Sequence, residues 1–179
     1  MTKPEIIEML KNKYEAFADF IISLNEEAFL FAPENKWPAG QQLDHIIRAV
    51  SSLATGLRLP KFAIGLIFGK ANRPSKSYEE LVKKYISKLE SGGKASGRFI
   101  PVKINFSDKQ PYIDKLEKLI ARLEKNINAY SENQMDTYIL PHPLLGKVTI
   151  REMMYFTIYH AEHHHKLTMK NLIHLSGAS

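Results

Sequence analysis

The sequence contains no cysteine. Disulfides, a thiol nucleophile and cysteine-type zinc sites are therefore excluded. A reducing, cytoplasmic compartment is the expected setting. Long apolar runs are also lacking. The most apolar stretch, Phe62 to Phe68, has seven residues, against the ~20 that a spanning helix needs. It is expected to be core, with a partner or lipid contact as the alternative. No secretory signature opens the chain, because Lys3, Glu5 and Glu8 interrupt Met1 to Leu10 at amphipathic spacing. No strand pattern of useful length, internal repeat or low-complexity tract is visible. The net charge is +6, but no arginine cluster or aromatic–basic strip accompanies it, and Glu and Asp stand among the lysines. That patterning reads as a solvated surface, so neither nucleic acid nor membrane is expected as a partner.

What is present is helical. A chain of 179 residues is expected to form one domain, residues 1–179, with a core that needs no disulfide or structural metal. Residues 2–24 predict a first helix: Thr2 and Glu5 match a capping box, and Ile7, Leu10, Tyr14, Phe17, Ile21 and Leu24 recur at spacings of three and four. Asn25 to Lys36 reads as a connection. Trp37-Pro38 starts the second helix near Ala39, with Leu43, Ile46, Ile47, Val50, Leu53, Ala54 and Leu57 inward and Pro60 ending or kinking it. Tyr78 to Ser91 predicts a modest helix with Leu81, Val82, Tyr85, Ile86 and Leu89 inward. Gly92-Gly93 ends it, and Lys94 to Phe106 reads as a long loop or active-site flap. A third long helix follows, capped by Ser107 with Gln110, with Pro111 in its first turn. Its stripe is Ile113, Leu116, Ile120, Leu123, Ile127 and Tyr130. Thr149 and Glu152 form a capping box for the last helix, which runs to about Leu175 and stops at Gly177. The fold class is thus all-α: four long helices in a four-helix bundle, with a long, partly helical crossover between helices two and three.

Four of the seven histidines fall within His160 to His165. On the last helix the core seam runs Ile150, Met153, Thr157, His160, His164, Leu167, Asn171. His160 and His164, one turn apart on one face, take positions where the other helices place Leu, Ile and Phe. Glu152, Glu162, Lys166 and Lys170 fall on the opposite side. Buried imidazoles need partners, and a divalent metal serves both at once; hydrogen bonding to Tyr or backbone is the alternative. His165 falls at the edge of the apolar face and His163 toward solvent. His142 and His174 read as surface. His45 lies off the main stripe of helix two, on a face with Ala49, Ser52 and Gly56, where small residues allow close approach of another element.

Trp37-Pro38 with Gln42-Leu43-Asp44-His45-Ile46 resembles the start of helix two in the DinB/YfiT-like superfamily. His142-Pro143-Leu144-Leu145-Gly146, Thr149-Ile150-Arg151-Glu152 and His160-x-x-x-His164 are similar to the last helix of one uncharacterised branch of it. The resemblance implies an up-down-down-up bundle, often dimeric, and a metal held by one histidine of helix two and the H-x3-H pair: His45, His160 and His164. Relatives in this branch often have Gln three residues after the second histidine of the pair; here that position is Leu167. Better-known relatives include thiol-dependent transferases and isomerases. The expectation is a metalloenzyme using a divalent transition metal (Zn, Ni or Fe), acting on a small molecule with a low-molecular-weight thiol, or a hydrolase. Tyr155, Tyr159 and Glu162 are candidate assisting groups. A non-catalytic helical module binding an apolar ligand or protein is the alternative, and a nucleic-acid binder a distant third.

Overall fold

Thr2 and Glu5 open the first helix as their spacing requires: the Thr2 amide donates to the Glu5 carboxylate at 2.7 Å. Helix α1 then spans Lys3–Ser23 and buries Ile6, Leu10, Tyr14, Phe17 and Ile21. Ile6 takes the inward place expected of Ile7, which is half-buried. The computed structural model describes residues 1–176, so the expected stop at Gly177 lies outside the described residues. After α1 come α2 (Glu26–Leu30), α3 (Ala39–Gly56), α4 (Lys61–Ile67), α5 (Tyr78–Glu90), α6 (Lys109–Asn128), α7 (Glu132–Thr137), the hairpin β1 (Ile139–His142) and β2 (Gly146–Thr149), and α8 (Ile150–Ser176). Two 3-10 turns, Gly97–Phe99 and Phe106–Asp108, interrupt the long loop before α6.

The four long helices carry one contiguous apolar core. α1 packs along α8 and α6, and α3 packs along the same two helices. α1 and α8 run in the same sense, with Met1 at Tyr155, Tyr14 at Thr157 and Phe20 at His165. The expected stripes of α3 and α6 are buried. Among the described residues no single helix is long and apolar enough to cross a membrane.

Several local expectations are corrected. The connection Asn25 to Lys36 contains α2, capped by Asn25, which accepts from the Ala28 amide at 2.9 Å. Its Phe29 ring approaches α3 so closely that a Cβ on Gly40 would lie 2.9 Å from it; any larger residue there must displace the buried ring. Ser107 does not cap α6, because it sits inside a 3-10 turn, and Gln110 donates to Asp114 at 2.8 Å instead. α7 and the hairpin were not expected. β1 pairs antiparallel with β2, from Ile139 opposite Thr149 to His142 opposite Gly146. The reversal between them needs a positive φ, supplied by Gly146 at 76°. Ile86 of α5 is exposed, not inward. The run Phe62 to Phe68 is not core: of α4 only Ile64 is buried. Glu152 is not on a solvated face but 0% exposed. It completes the α8 capping box with Thr149 and also receives Arg73.

Candidate metal centre

The centre forms where the second turn of α3 faces the middle of α8. His45, His160 and His164 are all buried. One ring nitrogen from each lies within 4.8 Å of the other two. His160 Nε2 stands 3.1 Å from His45 Nε2 and 3.0 Å from His164 Nε2. The outer nitrogens are held from behind. His45 Nδ1 donates to the Phe99 carbonyl at 2.7 Å. His164 Nδ1 donates to Gln42 Oε1, whose amide nitrogen is turned away by donating to the Trp37 carbonyl at 3.2 Å.

These partners determine where the protons stand. A carbonyl oxygen only accepts, so His45 and His164 each carry their proton on Nδ1. Burial pushes the pKa of all three imidazoles down, and the neighbouring histidines push His160 and His164 further. Neutral rings protonated at Nδ1 present bare lone pairs at Nε2. Both lone pairs face His160 Nε2, which has at most one proton and can serve only one of them. A cation at the common point satisfies all three. Two nitrogens bound at ~2.1 Å are separated by about 3.0 Å at a right angle and ~3.4 Å at the tetrahedral angle, close to the 3.1 and 3.0 Å that separate His160 Nε2 from the other two. The donor set therefore fits a divalent metal.

The wall around this point is aromatic. Phe156 stacks on His160 with ring centres 4.7 Å apart, Trp37 lies 5.2 Å from His45, and Tyr85 of α5 lies 6.3 Å from His160. The loop expected as a flap covers His45 and is tied down to α3. Asp44 accepts from the Val102 amide at 2.9 Å and from Arg48 Nε at 2.5 Å, and Arg48 reaches the Arg98 carbonyl at 3.3 Å.

A family model of the DinB superfamily matches residues 9–167. The chain belongs to the DinB superfamily. No curated protein matches the sequence. In this DinB-superfamily chain Leu167 is half-buried, and the amide that meets His164 comes from Gln42 on α3. Gln42 was not singled out from sequence. A signal existed: it lies three residues before His45, on the same side of a helix.

The other candidates are placed elsewhere. His165 sits at the core edge as expected, stacked on Phe20 at 4.7 Å. His174 is exposed. His163 is half-buried, not solvated, because Tyr85 and Tyr159 of the crossover side and α8 flank its ring, 6.2 and 6.0 Å away. Tyr159 thus borders the centre through His163. Tyr155 does not approach it; its hydroxyl lies against Met1. Glu162 is engaged outside by Lys13 and Lys166 at 2.8 and 2.5 Å.

His142 is not a surface residue. It packs edge-on to Phe156 at 4.2 Å, and its Nδ1 accepts from the Leu144 and Leu145 amides at 3.1 Å each. Burial, with Lys84 nearby, lowers its pKa to about 4. The unfolded chain takes up this proton near the ordinary 6.5. Its contribution is therefore full above pH 6.5 and is lost as pH falls toward 4. The His142→Asn variant keeps a turn-capping acceptor. It should lose on the order of 2 kcal/mol less than wild type between pH 7.5 and 4.5, measured by urea unfolding in chelator. Equal losses would refute this role.

Proposed function

We propose that this chain is a metal-dependent enzyme whose divalent transition metal (Zn, Ni or Fe) is held by His45, His160 and His164. The observation that carries this is the convergence of the His45 and His164 Nε2 lone pairs on His160, with protons fixed behind them by Phe99 and Gln42. Neutral imidazoles suit these metals, and the second hydrogen bond of each ring orients it for ligation. When bound, such an ion supplies a Lewis acid that polarises an oxygen or a thiol brought to it.

The chain's own residues do the rest. Gln42 and the Phe99 carbonyl hold the ring planes. Phe156, Trp37 and Tyr85 exclude water and offer an apolar face to a small-molecule substrate. Burial holds the Tyr85 phenol protonated, so it can only donate to an oxygen near His160 or accept weakly from it. With no cysteine in the chain, any thiol must arrive as a low-molecular-weight co-substrate. A thiol-dependent transferase is the reading that agrees with family resemblance; hydrolysis uses the same ligands. The packing of α1, α3, α6 and α8 supports a single-domain, up-down-down-up four-helix bundle, with α4, α5 and the 3-10 turns as crossover. A cytoplasmic homodimer completes the proposal.

Titration of the chelator-treated protein with zinc or nickel tests this, followed by calorimetry and elemental analysis. One equivalent is expected. Uptake below about a tenth of an equivalent at saturating metal contradicts the proposal. Replacing Gln42 with Leu frees His164 to rotate and to move its proton, and should weaken binding by about 10–100-fold while the helix content is kept.

A further inference from the structure

The end of α3 opposite the histidines carries a feature the metal centre does not use. From His45 to Tyr78 the chain has no Asp or Glu, while Arg48, Arg58, Lys61, Lys70, Arg73 and Lys76 fall within it. In the middle of this base-only segment stands α4, turned by 105° from α3. Ile64 is its one buried residue. Phe62, Leu66 and Ile67 are 71, 80 and 62% exposed, and Leu59 just before the helix is 37% exposed. Contiguous large side chains left in water in this way mark a contact surface.

The surroundings are cationic. Arg58 and Lys70 are exposed on either side of the helix. Arg58 lines a surface groove with Arg122, Lys125 and Asn126. The adjoining groove adds Lys115 and Lys118, with Asp114 as its one acid. Lys115, Lys118, Arg122 and Lys125 follow one another at three, four and three residues, so α6 presents them as a single stripe. Three bases of the segment are engaged elsewhere: Arg48 by Asp44, Arg73 by Glu152, and Lys61 by the Ala129 carbonyl and Gln134.

We propose that α4 is a docking element for an anionic lipid surface, with Leu59, Phe62, Leu66 and Ile67 entering the headgroup–acyl boundary and Arg58, Lys70, Arg122 and Lys125 meeting anionic headgroups. An apolar tip ringed by bases is what interfacial binding needs: burial of apolar area plus attraction to negative lipid. A second copy of the chain fits less well. In a two-fold contact the same patch is presented by both copies, which brings one copy's Arg58 and Lys70 to the other's equally basic segment, with no acid in it to compensate. Three side chains on a seven-residue helix, with Leu59 just before it, also fall short of the ~800 Å² per partner of a stable interface. Nucleic acid is disfavoured because Leu59, Leu66 and Ile67 offer bases neither stacking nor hydrogen bonds, and Phe62 is the patch's single ring rather than a run of stacking platforms. His45 lies eleven residues from the end of α3, about 17 Å along its axis, so docking leaves the metal centre free.

Sedimentation of the full chain with vesicles tests this. Phosphatidylcholine alone is compared with phosphatidylcholine containing about 30% phosphatidylserine. Binding is expected to the second only and to weaken steeply with salt. Phe62→Ser with Leu66→Ser should reduce the partition coefficient by at least about tenfold, and Arg58→Gln with Lys70→Gln by about tenfold. Because no native cysteine competes, Leu66→Cys labelled with a polarity-sensitive dye gives an independent readout, a blue shift on anionic vesicles. Melting curves confirm that each variant is folded; should the serine pair unfold, the charge pair and the dye carry the test. No binding to anionic vesicles at low salt overturns the proposal. So does binding that both folded variant pairs retain, or a dimer that the serine pair dissociates, which would make α4 a self-contact. Capture by an acidic protein without vesicle binding overturns it as well.

Discussion

Replacing His160 with leucine is expected to abolish tight zinc or nickel binding, with a loss of at least about a thousandfold, or ~4 kcal/mol. His160 is the hub of the centre: its Nε2 is the one nitrogen that stands near 3 Å from each of the other two. Without it, His45 and His164 approach the same point from different helices but lack the third donor that closes the cage. Without metal the same change should be mild. Leucine nearly matches the volume, and the crowding of three neutral ring nitrogens is relieved, while two Nε2 atoms lose a neighbour; a change within about 2 kcal/mol is expected. The two conditions therefore separate ligation from packing. Wild type should gain ~4 kcal/mol of stability at a free metal concentration a thousand times its dissociation constant, seen as a rise in Tm. The variant should show almost no rise. His163→Ala, which changes a ring beside the centre but not in it, should keep most of the rise.

Glu152→Ala should give the largest loss of stability among single polar substitutions, about 3 kcal/mol. This carboxylate is fully buried and accepts four hydrogen bonds: two from Arg73 at 2.6 and 2.9 Å, one from the Lys76 amide at 2.8 Å and one from the Thr149 amide at 2.9 Å. It thereby ties the crossover after α4 to the start of α8. Alanine leaves two amides and a guanidinium without their acceptor, and removes a helix cap. Glutamine keeps one acceptor oxygen and should cost about half as much. Burial alone would raise the Glu152 pKa, but Arg73 and the two amides outweigh it and hold the carboxyl below its usual range. A depressed carboxyl contributes stability above its unfolded pKa and loses it as pH falls through the folded one. The gap between wild type and Glu152→Gln in urea unfolding should therefore be widest near neutrality and narrow below about pH 4.5. A gap that does not change with pH would contradict the charged role.

The long helices were legible because each must bury a stripe: Leu10, Tyr14, Phe17 and Ile21 on α1 and Ile113 to Ile127 on α6 repeat at three and four and are buried where they repeat. Shorter elements carry too few residues for a period to register. α7 has six and each hairpin strand four, with Pro141 inside one of them. A capping pair, Ser131 with Gln134, marks α7, since each group bonds the other's backbone. Glu152 and α4 failed in opposite ways for one reason: composition does not say what the chain brings from afar. Arg73 comes 79 residues away to cover Glu152, and among the described residues no segment comes to cover Phe62 or Leu66. Within the centre, the H-x3-H pair stood out on the seam of α8. His45 did not stand out by helical position, because what covers its face is Phe99, 54 residues on; family resemblance supplied it. His142 and His163 were misplaced for the same cause, as their coverings, Phe156 and Tyr85, become neighbours only in the folded chain.

The three imidazoles are expected to hold one ion between them. Crystals of the protein equilibrated with zinc or nickel, with diffraction recorded on either side of that metal's absorption edge, test it most directly. One strong anomalous peak per chain is expected, about 2.0–2.2 Å from Nε2 of His45, His160 and His164. A peak at His142, His163 or His165 instead, or no peak among the three Nε2 atoms at saturating metal, would contradict it.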